Sequence, residues 1–227
     1  MLALLYDVHG NLPALEAVLD DALAQGGEEF LLGGDYALFG PWPAETLAAL
    51  RRLTPATWIR GNVDRWTAEI DMPDDDGLRA AIADCRSVLG ESAAAELGRL
   101  PEQAVIDDTL YCHASPASDM QSFLPEPADD DDRLLAGVSQ RRVVFGHTHL
   151  QFRRSGPDGR QLLNPGSVGL PWDGDHRAAY ALVGPDGKIE LRRVAYDHQT
   201  SARTVRERFG DSEWALRSER RLLEARP

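Results

Sequence analysis

The chain has 227 residues, 43% of them hydrophobic and 27% charged, a balance that excludes disordered and fibrous classes and lets one domain bury a substantial core. Its formal net charge of −13 repels a polyanion over most approaches, which argues against extended nucleic acid as a partner. Cys85 and Cys112 are the only cysteines and form neither a CxxC pair nor a disulfide framework, so a reducing, cytoplasmic setting is expected.

Residues 2–6 read as a buried strand. This apolar run lacks a basic leader and is too short for a signal peptide or a membrane span, and no other stretch approaches that length, so no membrane association is expected. The run ends in Asp7-Val8-His9-Gly10-Asn11. Leu12, Leu15, Val18, Leu19, Ala22 and Leu23 then recur at helical spacing, with Pro13 in the first turn and Gly26-Gly27 as the stop. A second round follows: strand 30–32, the loop Gly33-Gly34-Asp35, and a helix over 43–53. A third begins at 57–59 and ends in Arg60-Gly61-Asn62-Val63-Asp64. Strand, polar loop and helix repeated in this way predict an α/β layered fold whose functional groups gather at strand ends.

Between about 66 and 100 the pattern turns helical, with Leu78, Ala81, Ile82, Cys85, Val88 and Leu89 as an apolar stripe, and reads as an insertion over the core. Residues 103–106 and 109–112 form a predicted hairpin that delivers His113. A short helix over 133–138 precedes a strand over 142–145, which delivers Gly146-His147-Thr148-His149. Further strands are expected at 151–154, 161–163, 179–183 and 189–194, with turns at Asp158-Gly159 and Asp186-Gly187. C-terminal helices over about 201–225 carry Val205, Phe209, Trp214, Leu216, Leu222 and Leu223 for docking, and Gly210 divides them. Residues 1–227 are expected to form a single domain.

The strand-end residues share a chemistry. Asp7, His9, Asp35, Asn62, His113, His147 and His149 supply two carboxylates, one amide and four imidazoles. Asp7 and His9 are two apart, as are His147 and His149, so each pair points one way from an extended strand end. Each piece alone is ordinary: Gly-Asp and Gly-Asn make turns, and a lone strand histidine is usually hydrogen-bonded. Yet four of the chain's six histidines fall in this one ordered set. Jointly they predict a pair of divalent cations in a loop-built pocket, hence a metal-dependent hydrolase. Ligands that are all nitrogen or oxygen fit manganese, iron, zinc, cobalt or nickel. Two such ions against two aspartates leave the pocket floor positive by roughly two charges, which would draw a small phosphate ester despite the acidic surface.

The order of these motifs resembles the calcineurin-like metallophosphoesterase superfamily, particularly its small prokaryotic phosphodiesterase branch, from residue 1 to about 169. The resemblance implies an α/β fold, a four-layer αββα sandwich of two mixed β-sheets flanked by helices. It implies that Asp7, His9 and His149 hold a first metal, that Asn62, His113 and His147 hold a second, and that Asp35 bridges both, with manganese (Mn2+) favoured. The expected catalytic residues are Asp35, Asn62, Asp64 and His147, and the expected substrate contacts are Asn62, Asn11 and Arg65. The implied reaction is hydrolysis of a small phosphodiester by a metal-bridging hydroxide, without a protein nucleophile. A phosphoprotein phosphatase or nuclease of the same superfamily is an alternative, as is a metal-binding scaffold subunit. Oligomeric state is left open.

One departure shapes the expected substrate. Many phosphatases of the superfamily carry Gly-Asn-His where this chain has Gly61-Asn62-Val63, and valine cannot donate a proton. Activated aryl diesters should therefore react faster than alkyl monoesters. Asn164-Pro165-Gly166-Ser167 resembles a loop that closes one side of the family's pocket, although Pro-Gly alone also predicts a turn; its backbone is expected to matter more than Ser167. Tyr36, Phe39, Trp42, Trp172 and His176 are further pocket or packing candidates. The acidic runs 74–76 and 129–132 read as solvated helix starts.

Overall fold

Alternating burial in the first strand sets the architecture of the computed structural model, which describes residues 1–227. In β1 (Leu2–Leu5), Ala3 and Leu5 face one way, into a core shared with helices, whereas Leu4 and the following Tyr6 face the other way, toward a second sheet. A strand buried on both faces reads as an unbroken apolar run, and this one does.

β1 is the centre of a five-stranded sheet. Parallel β2 (Glu29–Leu32) and β3 (Ala56–Trp58) lie on one side of it. The second sheet contains β4 (Gln103–Ile106), β5 (Thr109–Cys112), β6 (Arg142–Val144), β7 (Gln151–Ser155) and β8 (Gln161–Pro165) in the order β4-β5-β6-β8-β7. Its three inner strands are parallel and its edges antiparallel. Antiparallel β9 (Ala178–Val183) and β10 (Ile189–Val194) complete the first sheet, in the order β10-β9-β1-β2-β3. Tyr6, Leu31, Ile59, Tyr111, Val144 and Leu163 pack between the sheets, and each such side chain contributes roughly 1.5–3 kcal/mol on burial.

The helical layer against the first sheet is thick. α1 (Leu12–Ala24) buries Ala14, Leu15, Val18 and Ala22, and α2 (Pro43–Leu50) buries Leu47 and Leu50. The 66–100 region is helical: α3 (Asn62–Thr67) runs into it, followed by α4 (Asp76–Leu89) and α5 (Glu91–Gly98). Asp75 starts α4 by accepting the Leu78 N–H at 2.6 Å, the role expected of that acidic run. The second sheet has a thin cover, since α6 (Asp131–Leu134) is a single turn and Phe123, Leu134 and Leu135 fill the rest. This helix is shorter than expected and precedes Gly137, at φ 79°. Asp131 also departs from the solvated role expected of its run. It is 4% exposed and receives both terminal amino groups of Arg154, at 2.8 and 2.9 Å.

At the C-terminus, α7 (His198–Phe209) and α8 (Glu213–Glu224) are separated at Gly210, whose φ of 72° favours glycine. α8 buries Trp214, Ala215, Ser218 and Leu222 along one stripe, and Trp214 Nε1 donates to Asp84 of α4 at 2.9 Å. α8 is thereby fixed against the helical region. No helix is long and apolar enough to cross a membrane.

Candidate metal centre

The seven sequence-selected residues converge above the strand ends, and the backbone shows what this requires. Asp7, His9, Asp35, His147 and His149 have φ between 48° and 68°, a left-handed region that non-glycine residues rarely occupy. Strain of this kind persists only where the surroundings over-determine it. Here the loops are stitched together: His9 N–H donates to Asp35 O at 2.9 Å, and Gly146 N–H to His113 O at 2.7 Å. A Cβ on Gly61 would collide with Asp35 Oδ1, and one on Gly146 would sit 2.6 Å from Asp7 Oδ2.

Tautomers follow from second partners. Nδ1 of His9, His113 and His149 lies 2.9, 2.9 and 2.5 Å from the carbonyl oxygens of Leu38, Gly33 and Leu170. A carbonyl only accepts, so each Nδ1 carries the hydrogen; neutral His9 and His149 then offer a bare Nε2 lone pair, and His113 offers one once its Nε2 proton is displaced. The Nε2 atoms of His9 and His149 then face each other at 3.2 Å, two lone pairs with no proton between them. Asp7 Oδ2 accepts the His147 N–H at 3.0 Å, but Asp7 Oδ1 is buried with no hydrogen-bond partner and lies 3.7 Å from His149 Nε2 and 3.9 Å from His113 Nε2. A cation satisfies the facing lone pairs and the orphaned oxygen together, so the donor set fits a divalent ion.

Two groups of mutually close ligand atoms emerge, Asp7 with His9 and His149, and Asp7 with Asp35 and His113. The first is the expected first-metal set. Near the second group, Asn62 Oδ1 lies 2.9 Å from His113 Nε2 and 3.0 Å from His147 Nδ1, so that trio is also assembled. Asp35 Oδ2 sits 3.3 Å from His113 Nε2 and 3.7 Å from His9 Nε2, between the groups. His147 differs from the other imidazoles in presenting Nδ1.

The electrostatics of the protein atoms match. Burial lowers His9, and burial with the charge on His9 lowers His149 well below the usual histidine range. Burial, then His113, pushes His147 down to about 4. Burial also opposes charge on His113, but the carboxylates of Asp35 and Asp7 outweigh it and raise His113 to about 10. Asp35 is correspondingly held low by His113 against its own burial.

Three expected site residues are engaged elsewhere. Asp64 accepts backbone N–H groups from Asp35 at 2.8 Å, Tyr36 at 3.1 Å and Gly61 at 2.9 Å, so it anchors the ligand loops from beneath and is 1% exposed. Burial and then Asp35 push it up to about 7. Asn11 donates both amide hydrogens, to Gly169 O and Tyr196 Oη, and accepts from Ser201, which leaves it no donor for a substrate phosphate. Arg65 pairs with Asp119 through two nitrogens and gives another to the Ile70 and Asp71 carbonyls. Neither Asn11, Asp64 nor Arg65 lines the cavity above the candidate metal ligands.

That cavity holds about 400 Å3, with His9, Asp35, Asn62, His147 and His149 on its floor. Val63, Phe39 and Trp172 wall it, and the start of α4 and one face of α8 roof it. Trp172 stacks on His149 with ring centroids 3.9 Å apart. Tyr36 is instead fully buried beneath the loops, and His176 donates to or accepts from no cavity group, since its Nε2 meets Leu223 O at 2.8 Å. Ser167 proves more than a turn residue: its hydroxyl donates to Asp7 O at 2.7 Å and accepts the Leu170 N–H at 2.8 Å. Asn164 donates to Gly146 O at 2.9 Å. The Asn-Pro-Gly-Ser loop therefore braces the two ligand-bearing loops.

The family model for the calcineurin-like phosphoesterase superfamily domain matches residues 1–188. The chain belongs to that superfamily. Among solved structures, a metallophosphoesterase from Sphaerobacter thermophilus is 26% identical, with a TM-score of 0.81 over 99% of this chain and 98% of that one. The hypothetical protein PH1004 from Pyrococcus horikoshii OT3 shares the fold at 22% identity, with a TM-score of 0.81 over 95% and 96% of the two chains. By sequence, the uncharacterized protein MJ0912 of Methanocaldococcus jannaschii is 29% identical over 221 residues, covering 87% of this chain and 88% of that protein. Two mixed five-stranded sheets with flanking helices are thus the superfamily fold.

The roof of the cavity is not legible in the sequence. Arg217, Ser218 and Arg221 of α8 line the cavity from beyond the residues that the family model matches. Their helical spacing was visible, but nothing in the sequence said which face of α8 would meet the ligands.

Proposed function

We propose that this phosphoesterase holds two divalent ions and hydrolyses small phosphodiesters. The observation that carries the reading is the orphaned Asp7 Oδ1 among histidine nitrogens that face one another bare. Asp7, His9 and His149 would hold one ion and Asn62, His113 and His147 the other, with Asp35 placed to serve both; manganese is the favoured metal. Bound there, such ions lower the pKa of a shared water toward neutrality and neutralise phosphoryl oxygens. The chain's own contribution is to fix five of the ligand side chains by hydrogen bonds to the backbone, through Nδ1 of three histidines and through both aspartates, so that little reorganisation remains.

A cavity of about 400 Å3 suits a small ester, not a polymer. Val63 is 3% exposed on its wall, in the position where many relatives place an acid, and gives the leaving group no proton. Aryl diesters are therefore the preferred substrates over alkyl monoesters. The chain works as a single cytoplasmic domain in which the helices over 66–100 and 198–224 shape the pocket.

The test is metal analysis of the purified chain together with a manganese-supplemented panel of bis-aryl phosphate, cyclic nucleotides, dinucleotides, glycerophosphodiesters and phosphopeptides, against Asn62→Ala. Two bound ions and fastest turnover of the aryl diester are expected. No bound metal and no hydrolysis under any divalent ion would sink the reading in favour of a scaffold subunit, and phosphopeptides as best substrates would make it a protein phosphatase.

A further inference from the structure

Arg221 sits on α8 one turn beyond Arg217, beside the buried stripe Trp214, Ser218 and Leu222, and both arginines line the cavity roof. Their circumstances differ. Arg217 is exposed and donates to Glu213 at 2.8 Å, which neutralises it. Arg221 is half-buried and has no carboxylate within ion-pair distance; its guanidinium carbon lies 5.1 Å from the Trp172 ring centroid. Its Nε is buried without a partner, and its two terminal amino groups donate to no protein atom. Burial, and then the charges of Arg217 and Arg220, lower its pKa. A half-buried cation crowded by like charges and without a carboxylate partner is stabilised by an anion from outside the chain.

Its position says where that anion lies. Trp172 stacks on His149 at 3.9 Å, so guanidinium, indole and candidate metal ligand follow in series. The guanidinium is thus no farther from the His149 ring than those two separations combined. The indole packs against the guanidinium, whose planar fork suits two parallel hydrogen bonds to a phosphoryl or carboxylate group.

We propose that Arg221 is a specificity residue that binds a second anionic group of the substrate, so that the preferred esters carry a phosphoryl or carboxylate group besides the scissile phosphate. This rests on the phosphoesterase reading above for where the scissile group lies. It adds a selectivity that the residues matched by the family model do not contain.

The test is calorimetric binding of thymidine 3′,5′-bisphosphate and thymidine 5′-monophosphate to the full chain with excess manganese, for the wild type, Arg221→Gln and Arg221→Lys. A matched pair in which the second anion is a carboxylate or its methyl ester separates the two anion chemistries. The wild type should favour the bisphosphate by about tenfold or more, Arg221→Gln should bring that ratio close to one, and Arg221→Lys should keep part of it through charge without the fork. A wild type without preference for either doubly anionic ligand, or an undiminished ratio in Arg221→Gln, would overturn the proposal. Hydrolysis of bis-aryl phosphate, measured in parallel, judges the phosphoesterase reading independently, since turnover can stand while anion selectivity is absent.

Discussion

Asp64 holds Asp35 by the backbone: its Oδ2 accepts the Asp35 N–H at 2.8 Å, and the same atom accepts the Gly61 N–H at 2.9 Å. One buried carboxylate thus clamps two ligand loops, and its other oxygen takes the Tyr36 N–H. Replacing it by asparagine turns one acceptor into a donor that faces N–H groups. Asp64→Asn should cost about 2–4 kcal/mol in denaturant unfolding, from buried donors left unpaired, and should weaken manganese binding about 10- to 100-fold. Unchanged stability would show that the clamp is dispensable.

The raised pKa of His113 makes metal capture pH-dependent. Held at about 10 by Asp35 and Asp7 against its burial, His113 is protonated at neutral pH, and a cation on its Nε2 must displace that proton. Manganese affinity should rise with pH up to about 10 and fall on acidification. Calorimetry in buffers of different ionisation enthalpy should register proton release near pH 7.5. Saturating manganese at about 100 times its Kd should also stabilise the fold by about 2.7 kcal/mol, an increment reversed by a chelator.

Trp172 gives His149 an aromatic floor. Trp172→Phe should keep most of the stacking, whereas Trp172→Ala should lose about 0.5–1.5 kcal/mol, read as up to about a tenfold loss of metal affinity. Equal affinity in both variants would reduce the contact to packing.

The convergence of these candidate ligands was legible in the sequence because strand-end motifs of glycine beside a polar residue are local, and the strand and helix periods around them are strong. The engagement of Asn11, Asp64 and Arg65 was not, because each is occupied by partners 28 to 190 positions away or by backbone groups whose direction only the folded loops define. Ser167 was underrated for the same reason: a Pro-Gly turn announces itself, whereas a hydroxyl bonded to Asp7 across 160 positions does not. The layered fold followed from alternating patterns, yet the thinness of the cover on the second sheet depended on where Phe123 and Leu135 came to rest.

Val63→His tests the missing acid. Val63 lines the cavity, and its N–H donates to Asp35 Oδ1 at 3.0 Å, a backbone contact that the substitution retains. A histidine there should raise alkyl ester hydrolysis by up to about 10²-fold, with a smaller change for aryl diesters. An equal change in kcat/KM for both classes would remove leaving-group protonation as the explanation.

Asp21 ties α1 to the outer strands by accepting from Arg192 through two nitrogens and from Tyr180 Oη. The Arg192 hydrogen bonds hold its pKa below the usual carboxylate range despite partial burial. A depressed folded pKa contributes stability above the unfolded value of about 3.9 and loses it as pH falls through the folded one. Asp21→Asn should therefore be less stable than wild type at pH 7, by about 1 kcal/mol after solvent screening, and the gap should narrow and close as pH falls through the depressed folded pKa. A gap that persists at low pH would point to a cause other than the charge.

The roof and floor of the cavity come from different parts of the chain. The floor is locked by left-handed turns between two sheets, whereas the roof is one face of a helix after the last strand, carried by residues 213–221. On the proposal that Arg221 selects the ester, selectivity and hydrolysis lie on separate elements, so substitutions on the cavity face of α8 should change which ester binds while leaving the candidate metal ligands below in place.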